Sequence, residues 1–184
     1  ATRLVESKEK IQIRKPFLSA DISLDKSGDA VYVGRAGEPI QAEIVWQNNL
    51  DVPLTDAVIE AKLTGATLEK TSVSAGRGFY DSITNTITWD RTSVDDLSEL
   101  SPGKSGLLQF SFASMVPNQQ NNSNLRRQEI GIAITVRAKR LSENQVPEEL
   151  KSTASRTVKI ASALAFSSKV THSIGPIENS GPIP

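Results

Sequence analysis

The chain has no cysteine, one histidine, one methionine, and aromatic residues at only 5% of its 184 positions. Without thiols there is no disulfide framework, no thiolate nucleophile and no sulfur-ligated zinc, and thiol usage gives no cellular address. The lone imidazole, His172, has no second histidine and no cysteine beside it, so serine-hydrolase and zinc constellations both lack parts. It reads as an ordinary surface histidine. An excess of one charge is also missing, because 21 basic residues cancel 21 acidic ones. No long-range field draws nucleic acid or anionic lipid, and no run of Lys or Arg tracks a phosphate backbone.

Long apolar runs are absent too. The longest, Ile160 to Phe166, is broken by Ser162 and falls far short of the roughly 20 residues that cross a bilayer. Ala1-Thr2-Arg3 lacks the charged and apolar regions of a signal peptide, while Gly175 to Pro184 is rich in Gly and Pro. Both ends read like cuts through a longer protein.

What the chain does have is period-two alternation, which sends one set of side chains to a buried face. Ile40, Ala42, Ile44 and Trp46 alternate with Gln41, Glu43 and Gln47; Ala57, Ile59, Ala61 and Leu63 alternate with Val58, Glu60 and Lys62. Leu108, Phe110 and Phe112 form a third such segment, and Ile130, Ile132, Ile134, Val136 and Ala138 a fourth. Phe17 to Leu24 and Ala30 to Val33 read as shorter strands, and Thr157 to Ile160 and Ala163 to Thr171 as closing ones. Strands at this spacing, without long amphipathic helices between them, predict an all-β antiparallel sandwich of two sheets. Its expected core is Ile44, Trp46, Ile59, Leu63, Trp89, Leu108, Phe110, Ile132, Ile134 and Val136.

The connections are polar. Asp25-Lys26-Ser27-Gly28-Asp29 reads as a hairpin-like turn, and Asn118 to Asn124, nearly all Asn, Gln and Ser, as a loop with little apolar area. Ser93 to Leu100 and Ser142 to Lys151 each suit a short helical turn, the second because Pro147 precedes Glu148 and Glu149. Lys10 to Lys15, with Ile11 and Ile13 alternating, is either the first strand of this sandwich or the last of a preceding one. The expected division is therefore 1–16 as a leading strand or linker, 17–172 as the sandwich, and 173–184 as an interdomain linker.

One ordered block carries a resemblance. Trp46-Gln47-Asn48-Asn49, Pro53-Leu54-Thr55-Asp56-Ala57, Ser74-Ala75-Gly76, Ile87-Thr88-Trp89 and Leu100-Ser101-Pro102-Gly103-Lys104-Ser105 follow one another in residues 40 to 112. This order resembles the conserved-repeat, immunoglobulin-like domains of bacterial cell-surface proteins, a family of unknown function. The resemblance implies an immunoglobulin-like, non-catalytic structural or presenting module of a larger envelope protein, extracytoplasmic, whose partners are neighbouring domains of the same chain. A carbohydrate- or protein-binding adhesion module is the alternative, with a surface glycan or protein as partner, and an accessory domain of a surface enzyme is a third. At 184 residues the chain exceeds the roughly 100 of an ordinary immunoglobulin domain, which calls for extra edge strands or part of a second module.

No catalytic residue, metal ligand or cofactor is assigned, and the ligand-binding residues are unknown. Asp25, Ser27 and Asp29 place oxygen ligands around Gly28, but without the glycine and terminal Glu of a helix-flanked calcium loop they read as a solvated turn. Asp95-Asp96 reads as a cap on a helical turn through backbone amides. Gly76-Arg77-Gly78 lacks the Lys and following helix of a phosphate loop and reads as a hairpin connection. Trp89 and Tyr80 would make a sugar-stacking platform only if both were exposed on one flat face. Asn121-Asn122-Ser123 matches a glycosylation sequon. Lys62 and Lys139, candidates for a crosslink to Asn or Asp, fall on polar faces.

Overall fold

A computed structural model describes residues 16–116, 128–141 and 146–161. The described strands are β1 (Leu18–Leu24), β2 (Val31–Arg35), β3 (Ile40–Asn48), β4 (Leu54–Thr64), β5 (Leu68–Ser74) and β6 (Phe79–Asp81). They continue with β7 (Thr86–Trp89), β8 (Glu99–Leu100), β9 (Ser105–Ser114), β10 (Glu129–Leu141) and β11 (Pro147–Ala161). One sheet has the order β1-β3-β9-β5; the other runs β2-β11-β10-β4-β7-β6, with β8 also on β4. The sandwich predicted from alternation is present, with one difference: β2 pairs β11 in parallel, Val31 opposite Thr157 and Arg35 opposite Ala161.

Alternation decides which side of each strand is buried. Ile44, Trp46, Ile59, Leu63, Trp89, Leu108, Phe110, Ile132, Ile134 and Val136 are all buried, as expected, and they form one continuous cluster with Leu18, Ile22, Leu54 and Phe112. The block Asn48 to Pro53 is not a hairpin. It carries the chain from β3 in one sheet to β4 in the other, so the two strongest neighbouring strands face each other across the core. Gly76-Arg77-Gly78 is likewise a crossing between sheets, from β5 to β6, rather than the expected hairpin. The tip of the β1–β2 connection is a two-residue turn: Asp25 and Lys26 have φ of 45° and 69°, while Leu24 and Ser27 exchange two backbone hydrogen bonds of 2.8 Å.

The helical turn expected in Ser93 to Leu100 is a single 3-10 turn at Asp95–Leu97. The one expected across Ser142 to Lys151 is corrected, because β11 already begins at Pro147. Proline opens a strand here at the first position, opposite Leu141, where β11 needs no further donor to start. Glu148 then answers Arg140 on β10 through a 2.7 Å ion pair. Lys10 to Lys15, Asn118 to Asn124 and Ala163 to Thr171 lie outside the described residues.

Close packing around the two indoles depends on glycine. Trp46 sits directly opposite Gly106 across β3 and β9, and a Cβ at Gly106 would stand 2.4 Å from its ring. Gly78 covers Trp89 in the same way, with 2.6 Å between a would-be Cβ and Nε1. Both indole N–H groups are buried without an acceptor. Burying about 200 Å² of ring at ~25 cal/mol/Å² is worth about 5 kcal/mol, which exceeds the ~1–3 kcal/mol cost of an unpaired donor.

The registers also place residues 16 and 161 at opposite ends of the sandwich. Leu18 is level with Asn48, at the end that holds Leu54, Leu100 and the β10–β11 junction. Ala161 is level with Arg35, at the end that holds Ile40 and Phe112.

Gly106→Ala and Gly78→Ala are expected to destabilise the fold by about 1–3 kcal/mol each through overpacking against a rigid ring. Urea midpoints followed by tryptophan fluorescence check this, and an unchanged midpoint contradicts it.

Candidate functional site

The best-defined polar constellation sits where β3 leaves its sheet. Asn48 is fully buried, and every polar atom it carries is used. Its Nδ2 donates to the carbonyls of Leu100 (2.8 Å), Val52 (3.0 Å) and Ser101 (3.3 Å), and its Oδ1 accepts the Leu50 N–H at 2.9 Å. Its backbone joins the same turn, donating to Lys104 and accepting from Gly103. Asn49 ties the start of the sandwich: its Nδ2 donates to the Pro16 carbonyl at 2.8 Å and its N–H to the Phe17 carbonyl at 2.9 Å. The Asn-rich motif and the Pro102-Gly103 motif are thus one object, a polar staple. The depression beside it, about 740 Å³, is lined by Pro16, Phe17, Asn49, Leu50, Arg140 and Leu150. Its charged group, Arg140, is already paired with Glu148. Among the described residues, the lining offers shape without a nucleophile or base.

A second concave patch of about 350 Å³ surrounds a β-bulge in β4. Between Arg137 and Lys139 the β10–β4 register slips, and Asp56 takes a φ of 51°. Its carboxylate then reaches two cations, Arg91 at 2.9 Å and Lys139 at 3.2 Å. Asp90, beside Arg91, is fixed differently: its Oδ1 accepts from the Thr92 hydroxyl (2.6 Å), the Thr92 N–H (2.8 Å) and the Ser93 N–H (3.2 Å). Those bonds, the Thr92 hydroxyl foremost, hold its carboxyl below the usual range. Positive and negative charges balance in the patch, so it pins the bulge rather than presenting a field.

The residues singled out in the sequence that fall within the described chain each have a place. Asp25 is engaged, accepting the Gln41 N–H at 2.9 Å and the Tyr32 hydroxyl at 2.5 Å. That hydroxyl bond is the main reason the Tyr32 phenol titrates above its ordinary value. Asp29 accepts from Ser27 at 2.8 Å, and among the described residues no three of His, Cys, Asp and Glu cluster for a metal. Asp95 and Asp96 form the first turn at Asp95–Leu97, yet no side chain caps it; Asp96 instead pairs with Lys104 at 2.9 Å. The cap expected of Asp95-Asp96 is corrected: the strongest side-chain bonds to backbone N–H groups in this loop come from Asp90, five residues earlier.

Trp89 is completely buried, so the Trp89–Tyr80 platform does not exist; Tyr80 packs partly into the core and donates to Asn85 at 3.2 Å. Lys62 is exposed. Lys139 does meet an Asp, but its side chain is 51% exposed and Arg91 takes the other carboxylate oxygen. His172 and Asn121-Asn122-Ser123 lie outside the described residues. The exposed apolar pair Phe79 (71%) and Ile83 (89%), at the β6 edge and its hairpin, was not singled out in the sequence. The adjacent run Phe79-Tyr80-Asp81-Ser82-Ile83 was the signal that could have found it.

No family model matches the chain, and no curated protein matches it. Solved structures with a similar course include the CARDB domain of a Pyrococcus furiosus protein in complex with di-metal ions, 14% identical, TM-score 0.43, covering 79% of this chain and 93% of that one. A cohesin module from a Clostridium perfringens family 33 glycoside hydrolase is 9% identical, TM-score 0.43, over 80% of this chain and 100% of the module. The major pilin subunit of Bacillus cereus is 11% identical, TM-score 0.44, over 77% of this chain and 39% of the pilin. At these identities and TM-scores the likenesses carry no inference about activity, ligand or partner. The family likeness of residues 40 to 112 rests on those motifs alone.

Asn48→Ala is expected to cost about 2–4 kcal/mol, because it strands buried carbonyls, while Asn49→Ala, partly exposed, should cost less; urea titrations of both variants decide it. Asp90 and Asp81, whose carboxyls are both lowered by hydrogen bonds, stabilise the fold above the ordinary aspartate pKa of about 3.9. That contribution is lost as the pH falls through their lowered values. Urea midpoints measured down to about pH 2 should therefore decline at the acid end, and Asp90→Asn should weaken the decline.

Proposed function

We propose that this chain is a non-catalytic structural module that spaces or presents neighbouring domains of a larger protein on the outside of a bacterial cell. The observation that carries this reading is the placement of residues 16 and 161 at opposite ends of one rigid sandwich. A module threaded in this way adds its full length to a chain of domains. A module with both ends together would hang to one side. Three further features support the reading. The core is continuous and filled, the polar clusters are internally paired, and the motifs of residues 40 to 112 resemble surface repeats. The partners of such a module are its neighbours in the same polypeptide, and its location is extracytoplasmic.

A second reading, an adhesion module for a surface protein or glycan, draws on one observation: Phe79 stands 71% exposed on β6, which among the described residues is a sheet edge. Extended chain can add to such an edge through backbone hydrogen bonds, with an aromatic side chain as anchor.

Small-angle scattering of two copies joined head to tail tests the spacer reading. The maximum dimension should approach twice that of one copy, and a folded-back tandem no longer than a single copy overturns it. A glycan or protein array that gives signal lost in Phe79→Ser would transfer the function to the second reading.

A further inference from the structure

We propose that β1 is a releasable strand: under tension along the chain it leaves the sandwich before any other described strand, and the Asp25 turn stops the release there. The use of such a device rests on the spacer reading, but its geometry belongs to the fold. Tension applied at residues 16 and 161 pulls β1 by its start and β11 by its end, outward from opposite poles. Ladder hydrogen bonds lie across the strands, so a pull along a strand loads all of its bonds together. The strand with fewer loaded bonds then gives way first.

The two strands differ sharply in this respect. β1 is seven residues long and, among the described residues, lies at the edge of its sheet with one ladder neighbour, β3. β11 is 15 residues long and pairs all 13 residues of β10. Its last five residues, where the pull arrives, are also held on the other side by β2. Burial gives β11 no advantage, so the order rests on the ladders. Leu18, Ala20, Ile22 and Leu24 of β1 are buried, as are Leu150, Val158 and Ile160 of β11.

Once β1 has come away, the load reaches Asp25. There the chain is tied in three ways: Asp25 donates its N–H to the Gln41 carbonyl at 2.8 Å, its Oδ1 accepts the Gln41 N–H, and its Oδ2 accepts the Tyr32 hydroxyl. Tyr32 lies on β2, and β2 is paired with β11. The latch therefore hands the load directly to the strand that carries the opposite pull. A short release of residues 16–24 is arrested while the remaining core stays closed.

The absence of cysteine makes the test clean. The full chain is tethered by its two termini in an optical trap and stretched. The wild type should show a short release before the main unfolding event, recovered on relaxation. Asp21 and Val45 are cross-strand partners with exposed side chains, so Asp21→Cys with Val45→Cys should lose the short release when oxidised and regain it when reductant is added. Asp25→Ala should merge the short event into the main one. The proposal is overturned by a wild type that opens in one step, by a short event that survives the oxidised lock, or by one that persists unchanged in Asp25→Ala. It is equally overturned if the event disappears instead when β11 is locked to β10 through oxidised Ser155→Cys with Ala133→Cys. None of these outcomes alters the tandem scattering result, so failure here is distinct from failure of the spacer reading.

Discussion

The fit of two indole rings against two glycines is the constraint on which the sandwich depends. Trp46 comes from one sheet and Trp89 from the other, and each is covered by a residue with no side chain, Gly106 and Gly78. Interior packing leaves no slack at such a contact. Trp89 also leans on Phe110, ring centres 5.9 Å apart, so the rings of both sheets engage across the midplane. An adjustable core would let the sheets slide. This one fixes their separation and register, and the position of every loop at either end follows.

The polar residues that a functional search would single out are occupied with a different task. The crossings between sheets leave backbone groups without ladder partners, and a buried carbonyl cannot be left to itself cheaply. Asn48 satisfies three of them at one end. Ser72 does the same on the irregular edge β5, where its hydroxyl accepts the Ala113 N–H at 2.7 Å in place of a backbone carbonyl. Asp56 and its two cations secure a bulge, and Asp25 a turn. Side-chain chemistry is spent on closing the fold, which is consistent with a module whose work is mechanical.

Where the sequence was easy to read, one face was apolar and the other polar over a long stretch, as in β3, β4, β9 and β10. It was hard to read where strands are short or lie at edges. β5 reads Leu68-Glu69-Lys70-Thr71-Ser72-Val73-Ser74 and buries only its first residue, so no alternation marks it; β6 and β8 have three and two residues. In β11 the inward series Leu150, Ala154, Val158 and Ile160 is interrupted by Arg156, whose Nε is buried without a partner. That interruption, with Pro147 ahead of two glutamates, made a strand look like the start of a helix. The candidate site was legible only as a motif: Asn48 and Asn49 stood out as part of Trp46-Gln47-Asn48-Asn49, and nothing in the sequence distinguished the buried staple from its neighbour.

By itself the sequence determined the class of fold, the residues of the core and the chemistries that lack their parts, because alternation and composition are local properties. Only the tertiary structure decided that β3 and β4 belong to different sheets, that β2 runs parallel to β11, and that residues 16 and 161 stand at opposite ends. Those facts are set by which backbone edges meet across long sequence separations. A strand carries the same alternation whichever partner it finds, so no local pattern could have fixed them.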